Sequence, residues 1–307
     1  MLNKFLGFSL GIVFFSCSGK LERYDERDSP TSGKLYLFCE EGLLLQMKNQ
    51  AYTFESFYPN AKVFIHDKTE KDAIEGLFND SCKSIVVNRD LSTEEKKTFS
   101  AANIHVVSHF ISKNAVAIVS GLNFTDSLIF LPKLIKLLSG NDSTSDTNNN
   151  AKSLKIVFDK SNSGNIHYVK DSLLAGNSIG KNCFAAENMP QLIDWVSTSD
   201  NMLGIVDYAW LSDKDDPRTR EILSKVKLIP VAKDENHSAF YPDQSNIATG
   251  DYPMVRNIYF IRRGADFSLG AGFLSFVAGP KGQLMFLKSG LVPARQQERK
   301  IEIKLEE

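Results

Sequence analysis

The chain has 307 residues, 42% hydrophobic and 24% charged, which is enough apolar material for a sizeable core and is the composition of a globular protein, with a length that suits two lobes. Its 36 Lys and Arg against 37 Asp and Glu leave a formal charge of -1. That balance gives no global attraction to a polyanion and argues against nucleic acid as a partner.

Taken in chain order, MLNKFLGFSLGIVFFSC places Lys4 ahead of an apolar run from Phe5 to Phe15. The run is too short to span a bilayer and has the length of a secretory signal; a plain apolar helix is its other reading. Phe14-Phe15-Ser16-Cys17 resembles the lipobox of bacterial lipoproteins, with Phe14 in place of the usual Leu. That resemblance implies a signal peptide over 1–16, lipidation of Cys17, and attachment to the membrane in the cell envelope, facing the periplasm, the outer membrane slightly favoured. Residues 17–30 are polar and unpatterned and read as a tether. Three further cysteines, Cys39, Cys82 and Cys183, have spacings of neither a zinc module nor a disulfide framework. Cys39 and Cys82 flank apolar strands and are predicted as buried thiols, while a single disulfide stays open as an alternative.

From Thr31 onward the pattern alternates. Strands are predicted at 34–38, 62–66 and 84–87, and helices at 42–57, 71–79 and 93–101, the last capped by Ser92 with Glu94 and Glu95 in its first turn. This alternation argues for βαβ units and a largely parallel sheet in an α/β protein. Two more strands follow at 106–109 and 115–120, then a short amphipathic helix ending at Leu138 and a low-complexity insertion, SGNDSTSDTNNN, within 139–151. Strand 154–158 runs straight into DKSNSGNIHYVKDSL. There Ser161, Asn162, Ser163, Gly164 and Asn165 precede a helix, and a strand, polar glycine loop and helix in that order can serve either as an ordinary N-cap or as an anion cradle. Further on come a helix at 189–196, a strand at 204–208, polar connections, a strand at 255–261 and one helical region over 268–288, whose aromatic residues read as core.

Catalytic patterns do not survive inspection. Gly176-Asn177-Ser178-Ile179-Gly180 spells a nucleophile elbow, but that motif requires a strand immediately before the serine. Here a predicted helix ends at Leu174, with Gly176 placed as its C-terminal glycine. His105 and His109 lack a third ligand, and Gly279-Pro280-Lys281-Gly282 lacks the P-loop spacing. The expectation is a protein without enzymatic activity, cofactor or metal.

Six strings, TSGKLYLFCEE, NRDLSTEE, FDKSNSGNIHYVKDSL, GIVDYAWLSD, YPMVRNIYFI and GFLSFVAGPKGQLMFLKSGLVPAR, occur in an order that resembles the phosphate-binding proteins of bacterial uptake transporters, within the two-lobed periplasmic binding protein superfamily. The resemblance covers Thr31 to Arg295. It implies a type II fold of mixed sheets flanked by helices, with hinge crossover strands, one lobe from 31–117 plus 257–307 and the other from 118–256. It implies capture of a small oxyanion, phosphate first, between the lobes for an ABC permease. The alternative is a diverged envelope lipoprotein that acts as an interaction module of a membrane assembly. Carried over by position, Ser161, Ser163, Gly164 and Asn165 match the family's second-lobe Ser-Gly-Thr loop, with Asn165 in place of Thr. Asn88 and Arg89, followed by Asp90, match the first-lobe loop that carries an aspartate. Glu40 and Glu41 stand where that family has glycine and a hydroxyl, and no arginine precedes Ser161. Arg89 is the best compensating cation, with a salt-bridged Arg89 equally compatible.

Overall fold

The computed structural model describes residues 28–141, 154–264 and 267–295. The expectations for the signal segment, Cys17, nearly all of the tether, most of the 139–151 insertion and the last twelve residues lie outside these.

The alternation becomes structure as β1 (Gly33–Glu40), α1 (Leu44–Phe57) entered through one 3-10 turn at Glu41–Leu43, β2 (Ala61–Lys68), α2 (Glu70–Phe78), β3 (Ser84–Val87) and α3 (Thr93–Ala101). β2, β1 and β3 pair in parallel. Leu35, Leu37 and Cys39 point into the core from alternate positions of β1, and α1 covers them with Met47, Ala51 and Phe54 at helical spacing. Ser92 and Glu95 close a capping box at the start of α3.

β4 (Val106–Gly121) is a single strand of 16 residues, where two strands are predicted. The polar residues that read as a break, Ser112 and Asn114, are buried within it because they have partners: Ser112 Oγ donates to Val292 O (2.9 Å), and Asn114 Nδ2 bonds Asn88 and Asp207. The chain continues through β5 (Ile129–Phe130), α4 (Leu131–Leu138), β6 (Lys155–Phe158), α5 (Gly164–Tyr168) prolonged by a π-type turn at Val169–Leu173, β7 (Cys183–Ala185), α6 (Met189–Ser197) and β8 (Met202–Asp207). A 3-10 turn at Tyr208–Trp210 leads to α7 (Pro217–Lys225), β9 (Val226–Ile229), β10 (Val231–Ala232), β11 (Ala239–Phe240) and α8 (Gln244–Thr249). β12 (Val255–Arg263) precedes α9 (Leu269–Ala278), α10 (Pro280–Lys288) and β13 (Val292–Pro293). The predicted single helix over 268–288 is two, because Gly279 is extended and Pro280 carries no N–H to continue the ladder.

The main sheet runs β2-β1-β3-β12-β4-β8-β6-β7, with β9 and β13 also on β4; β11, β10 and β5 form a small second sheet. β12 is antiparallel to β3 and β4, and β8 is antiparallel to β4, so the sheet is mixed α/β. β4 belongs to both halves: its first part pairs with β12 and its last part with β8 and β9. In each half the carboxyl ends of parallel strands, β1 and β3 on one side, β6 and β8 on the other, open on the same crevice, which is where α/β sheets place their ligands.

Candidate functional site

The last residue of β1 is Glu40, and its side chain is the centre of that crevice. It is 4% exposed. Gly164 N–H, at the start of α5, donates to Glu40 Oε1 (3.1 Å); Asn88, just past β3, donates to Oε2 from its backbone N–H (3.2 Å) and its Nδ2 (3.0 Å). A β-carbon on Gly164 would collide with Glu40 Oε1 and come within 2.9 Å of Glu70 Oε2, so only glycine lets both carboxylates approach the helix start. The N–H donors read from sequence as a cradle for an external anion are thus holding a carboxylate of the chain itself.

Around Glu40 lies a buried polar network assembled from strand ends. Asp207, the last residue of β8, accepts from Asn88 Nδ2 (2.7 Å), Asn114 Nδ2, Ala209 N–H (3.1 Å) and Arg256 Nη2 (2.8 Å). Arg256, on β12, is 6% exposed, lies over the Tyr168 ring at 5.8 Å, and has an Nε with no acceptor. Asp159, just past β6, accepts from Asn165 Nδ2 (3.1 Å) and is hydrogen-bonded by Ser163. Burial pushes the Glu40 carboxyl up to about 7; Arg256 opposes this, and Glu70, Asp207 and Asp159 add to it. Burial likewise raises Asp159 to about 6.

The two halves are tied at further points. Lys160, just past β6, reaches Glu41 (2.8 Å) and Asp67 on β2 (2.9 Å). His167 Nδ1 meets Glu70 Oε1 at 2.9 Å; that contact, ahead of the cost of burial, holds the imidazole above its ordinary range. Burial works against the Glu70 charge, but His167 and Arg89 outweigh it and keep the carboxyl below the usual carboxylate range. Beside the network a cavity of about 300 Å³ remains, walled in part by Glu70, Asn88, Gly164, His167, Tyr168 and Arg256.

Of the residues singled out from sequence, Glu40, Asn88, Ser163, Gly164 and Asn165 converge in this network. Glu41 lies at its edge on Lys160. Ser161 stays exposed on the preceding turn. Arg89 takes the salt-bridged reading instead of compensating the cleft: Nε donates to Glu70 (2.8 Å), and Nη1 and Nη2 grip Glu95 at 2.7 and 2.8 Å, because the capping box fixes Glu95 within its reach. Asp90 is held by Lys96 and Ser108. Sequence reasoning missed Glu70, Asn114, Asp207 and Arg256. The available signal was a charge inside an apolar strand, Asp207 ending LGIVD and Arg256 within MVRNIYF. Ser178 is exposed beyond the helix end, with Ala175 and Gly176 in the left-handed region (φ 49° and 85°), as a helix terminus requires. Cys39, Cys82 and Cys183 are free, the first two buried.

A model of the PBP superfamily domain matches residues 38–281. The chain belongs to the periplasmic binding protein superfamily. Its fold is that of the phosphate-binding members of the superfamily. A phosphate ABC transporter substrate-binding protein with bound phosphate from Clostridium perfringens superposes with a TM-score of 0.69 at 14% identity, over 86% of this chain and 100% of that one. An ABC-type phosphate transport receptor from Vibrio cholerae gives 0.66 at 13% identity, over 85% and 100%. PstS from Borrelia burgdorferi gives 0.55 at 16% identity, over 86% and 99%. No curated protein matches the sequence significantly. Among the described residues of this superfamily member, no helix is long and apolar enough to cross a membrane, and no group of three or more His, Cys, Asp or Glu is placed to hold a metal.

Proposed function

We propose that this chain is a non-catalytic binding protein of the cell envelope whose interlobe cleft is closed on its own Glu40 instead of on a free oxyanion, and that it serves as a recognition module of a membrane assembly. The observation that carries this reading is the capture of Gly164 N–H and both Asn88 donors by the Glu40 carboxylate. The lobes are 31–117 plus 257–307 and 118–256, crossing at β4 and β12, and the lipid anchor is Cys17.

Energetics favour the internal carboxylate. Micromolar affinity for a free anion requires about -8 kcal/mol, and donors to a charged group contribute about 1.5–3 kcal/mol each. The donors here are already committed, and Glu70, Asp159 and Asp207 share the crevice with Glu40 against a buried Arg256 and an engaged Arg89. A further negative charge at about 4 Å from any of these carboxylates is opposed by about 1–4 kcal/mol.

Capture of phosphate for an ABC permease is the second reading. It is favoured by the donors themselves, since a Glu40 side chain turned out of the crevice would leave them facing an empty pocket at the carboxyl ends of the strands, and by the phosphate-bound neighbour of the same fold. Calorimetric titration of phosphate into the full chain in detergent at neutral pH separates the two. The self-closed module gives no binding heat and co-purifies with a membrane partner after cross-linking in intact envelopes. Saturable phosphate heat from the unmodified protein transfers the conclusion to the second reading.

A further inference from the structure

β1 and β2 close one end of the main sheet, and α1 packs on only one of their faces. On the other face the register sets Lys34 beside Lys62, Tyr36 beside Phe64 and Phe38 beside His66. α2 closes over Phe38, whose ring would meet a β-carbon on Gly76 at 2.5 Å. Tyr36 and Phe64 are left 51% and 42% exposed. Their rings stack at 5.2 Å and 17°, and His66 continues the row at 6.1 Å from Tyr36. One exposed aromatic is ordinary, but a stacked row held by two paired strands is a fixed apolar ridge in water.

Cations border the ridge at both ends. Lys34 and Lys62 stand exposed at its start, and Lys68 lies over the Phe38 ring (5.3 Å) at its finish. Lys62 reaches Glu55 (3.3 Å), whereas Lys34 makes no ion pair among the described residues. Like charges on neighbouring strands repel, and apart from Glu40, buried in the crevice, no acid stands on this face of either strand. The charge disfavours a second copy of the chain as the occupant. Antiparallel pairing of β2 with its copy across a two-fold axis matches even positions with even positions, so in the registers centred on Phe64 and Ile65 each Lys62 meets a His66 or a Lys68. Glu55 Oε1 also takes the Val63 N–H (2.8 Å) that such pairing would use. Apolar rings between lysines instead complement a surface that is anionic outside and apolar beneath.

The chain enters β1 at the same end of the ridge, where Gly33 N–H donates to Asn60 O (3.0 Å). From Cys17 to Asp28 it extends at most about 40 Å, so a lipid on Cys17 keeps this end of the sheet close to the bilayer. We propose that the Tyr36–Phe64 ridge is the membrane-facing surface of the protein, its rings entering the headgroup layer of an anionic bilayer while Lys34, Lys62 and Lys68 meet lipid phosphates. Aromatic rings settle at that level, and each lysine near an anionic surface favours binding about fivefold. The inference rests on the Cys17 anchor of the proposed function and is independent of what fills the crevice.

The test is quenching of tryptophan by brominated acyl chains, with the lipidated full chain reconstituted in phosphatidylcholine vesicles with and without about one-third phosphatidylglycerol. Phe64→Trp adds an indole on the ridge, and Tyr52→Trp adds one at a 79% exposed position of α1, on the opposite side of the sheet. The unmodified protein supplies the background from Trp195 and Trp210. In anionic vesicles the added indole should be quenched about twofold or more in Phe64→Trp and not at all in Tyr52→Trp. Most of that effect should vanish without phosphatidylglycerol and in a Phe64→Trp protein that also carries Lys34→Gln, Lys62→Gln and Lys68→Gln, all surface changes whose fold circular dichroism checks. An unquenched indole in Phe64→Trp protein that floats with its vesicles overturns the proposal, assigns the ridge to a protein partner or a second copy, and leaves the anchor standing. Protein that floats with neither vesicle type removes the anchor and the proposal together. Equal quenching with and without phosphatidylglycerol, or with and without the three lysines, overturns the anionic assignment.

Discussion

Replacing Glu40 with Gln removes one ionisable group at the centre of the crevice and should change the slope of stability against pH in a defined window. The native carboxyl titrates at about 7 against an ordinary 4.5, with burial as the main cause. The folded state therefore holds this proton to higher pH than the unfolded chain does. The associated stabilisation is complete below about pH 4.5 and is lost as pH rises through about 7. At about 1.4 kcal/mol per pH unit, the span from 4.5 to about 7 is worth about 3 kcal/mol. Asp159, raised from 3.8 to about 6, and His167, also raised, act with the same sign. Glu70, Asp90 and Glu95 are lowered and act oppositely, losing their contribution only as pH falls below the usual carboxylate range. The unmodified protein should thus be most stable near about pH 5 and weaken toward about pH 8. In Glu40→Gln the amide must present an N–H to one of the three donors, a cost of about 1–3 kcal/mol at acid pH, but the Glu40 share of the decline disappears. Urea unfolding of both proteins at about pH 5 and about pH 8 measures how far each loses stability over that interval, and the two losses should differ by about 2.5 kcal/mol. Identical slopes would refute the assignment of Glu40 as a buried, proton-retaining carboxylate.

Glu40→Ala empties the cradle: phosphate should raise its melting temperature in a saturable manner while leaving the unmodified protein unmoved, and a variant as indifferent to phosphate as the parent would count against the donor geometry. Gly164→Ala drives a methyl into Glu40 Oε1 and toward Glu70 Oε2, and should cost about 1–3 kcal/mol in urea unfolding, as overpacking in a fixed site does. Arg256→Met strips Asp207 of its cation and should destabilise by about 3–5 kcal/mol; adding Asp207→Asn should recover part of that loss in a double-mutant cycle. In native protein, maleimide should spare Cys39 and Cys82, since burial pushes both thiols up, Cys82 to about 12, and label both once urea unfolds the chain.

Local periodicity carried most of the architecture. The elements from Lys34 to Ala101 read correctly because each has an uninterrupted pattern and a clear cap or break. The pattern misled where long-range partners override local chemistry. Ser112 and Asn114 look like a loop until Val292, Asn88 and Asp207 satisfy them inside β4. Pro280 carries the signal of a break, but the apolar run on either side reads as one helix. At the crevice, the Ser163–Asn165 turn and the Asn88 loop could be read because their residue types announce donors. That Glu40 would be the acceptor depends on the distance between residues 40, 88 and 164, which only the folded sheet sets. Arg256 and Asp207 were hidden for the same reason, each a charge set beside apolar strand residues with its partner 49 residues away.

The length of β4 has a mechanical corollary. At about 3.3 Å per residue, its 16 residues form a beam of about 50 Å embedded in both halves of the sheet. With β12 alongside it, any separation of the halves must be absorbed as elastic twist of two continuous strands and not by a slack linker swinging freely. Opening therefore has to deform a segment paired on both sides, and deuterium should enter the Ile111–Val119 backbone last.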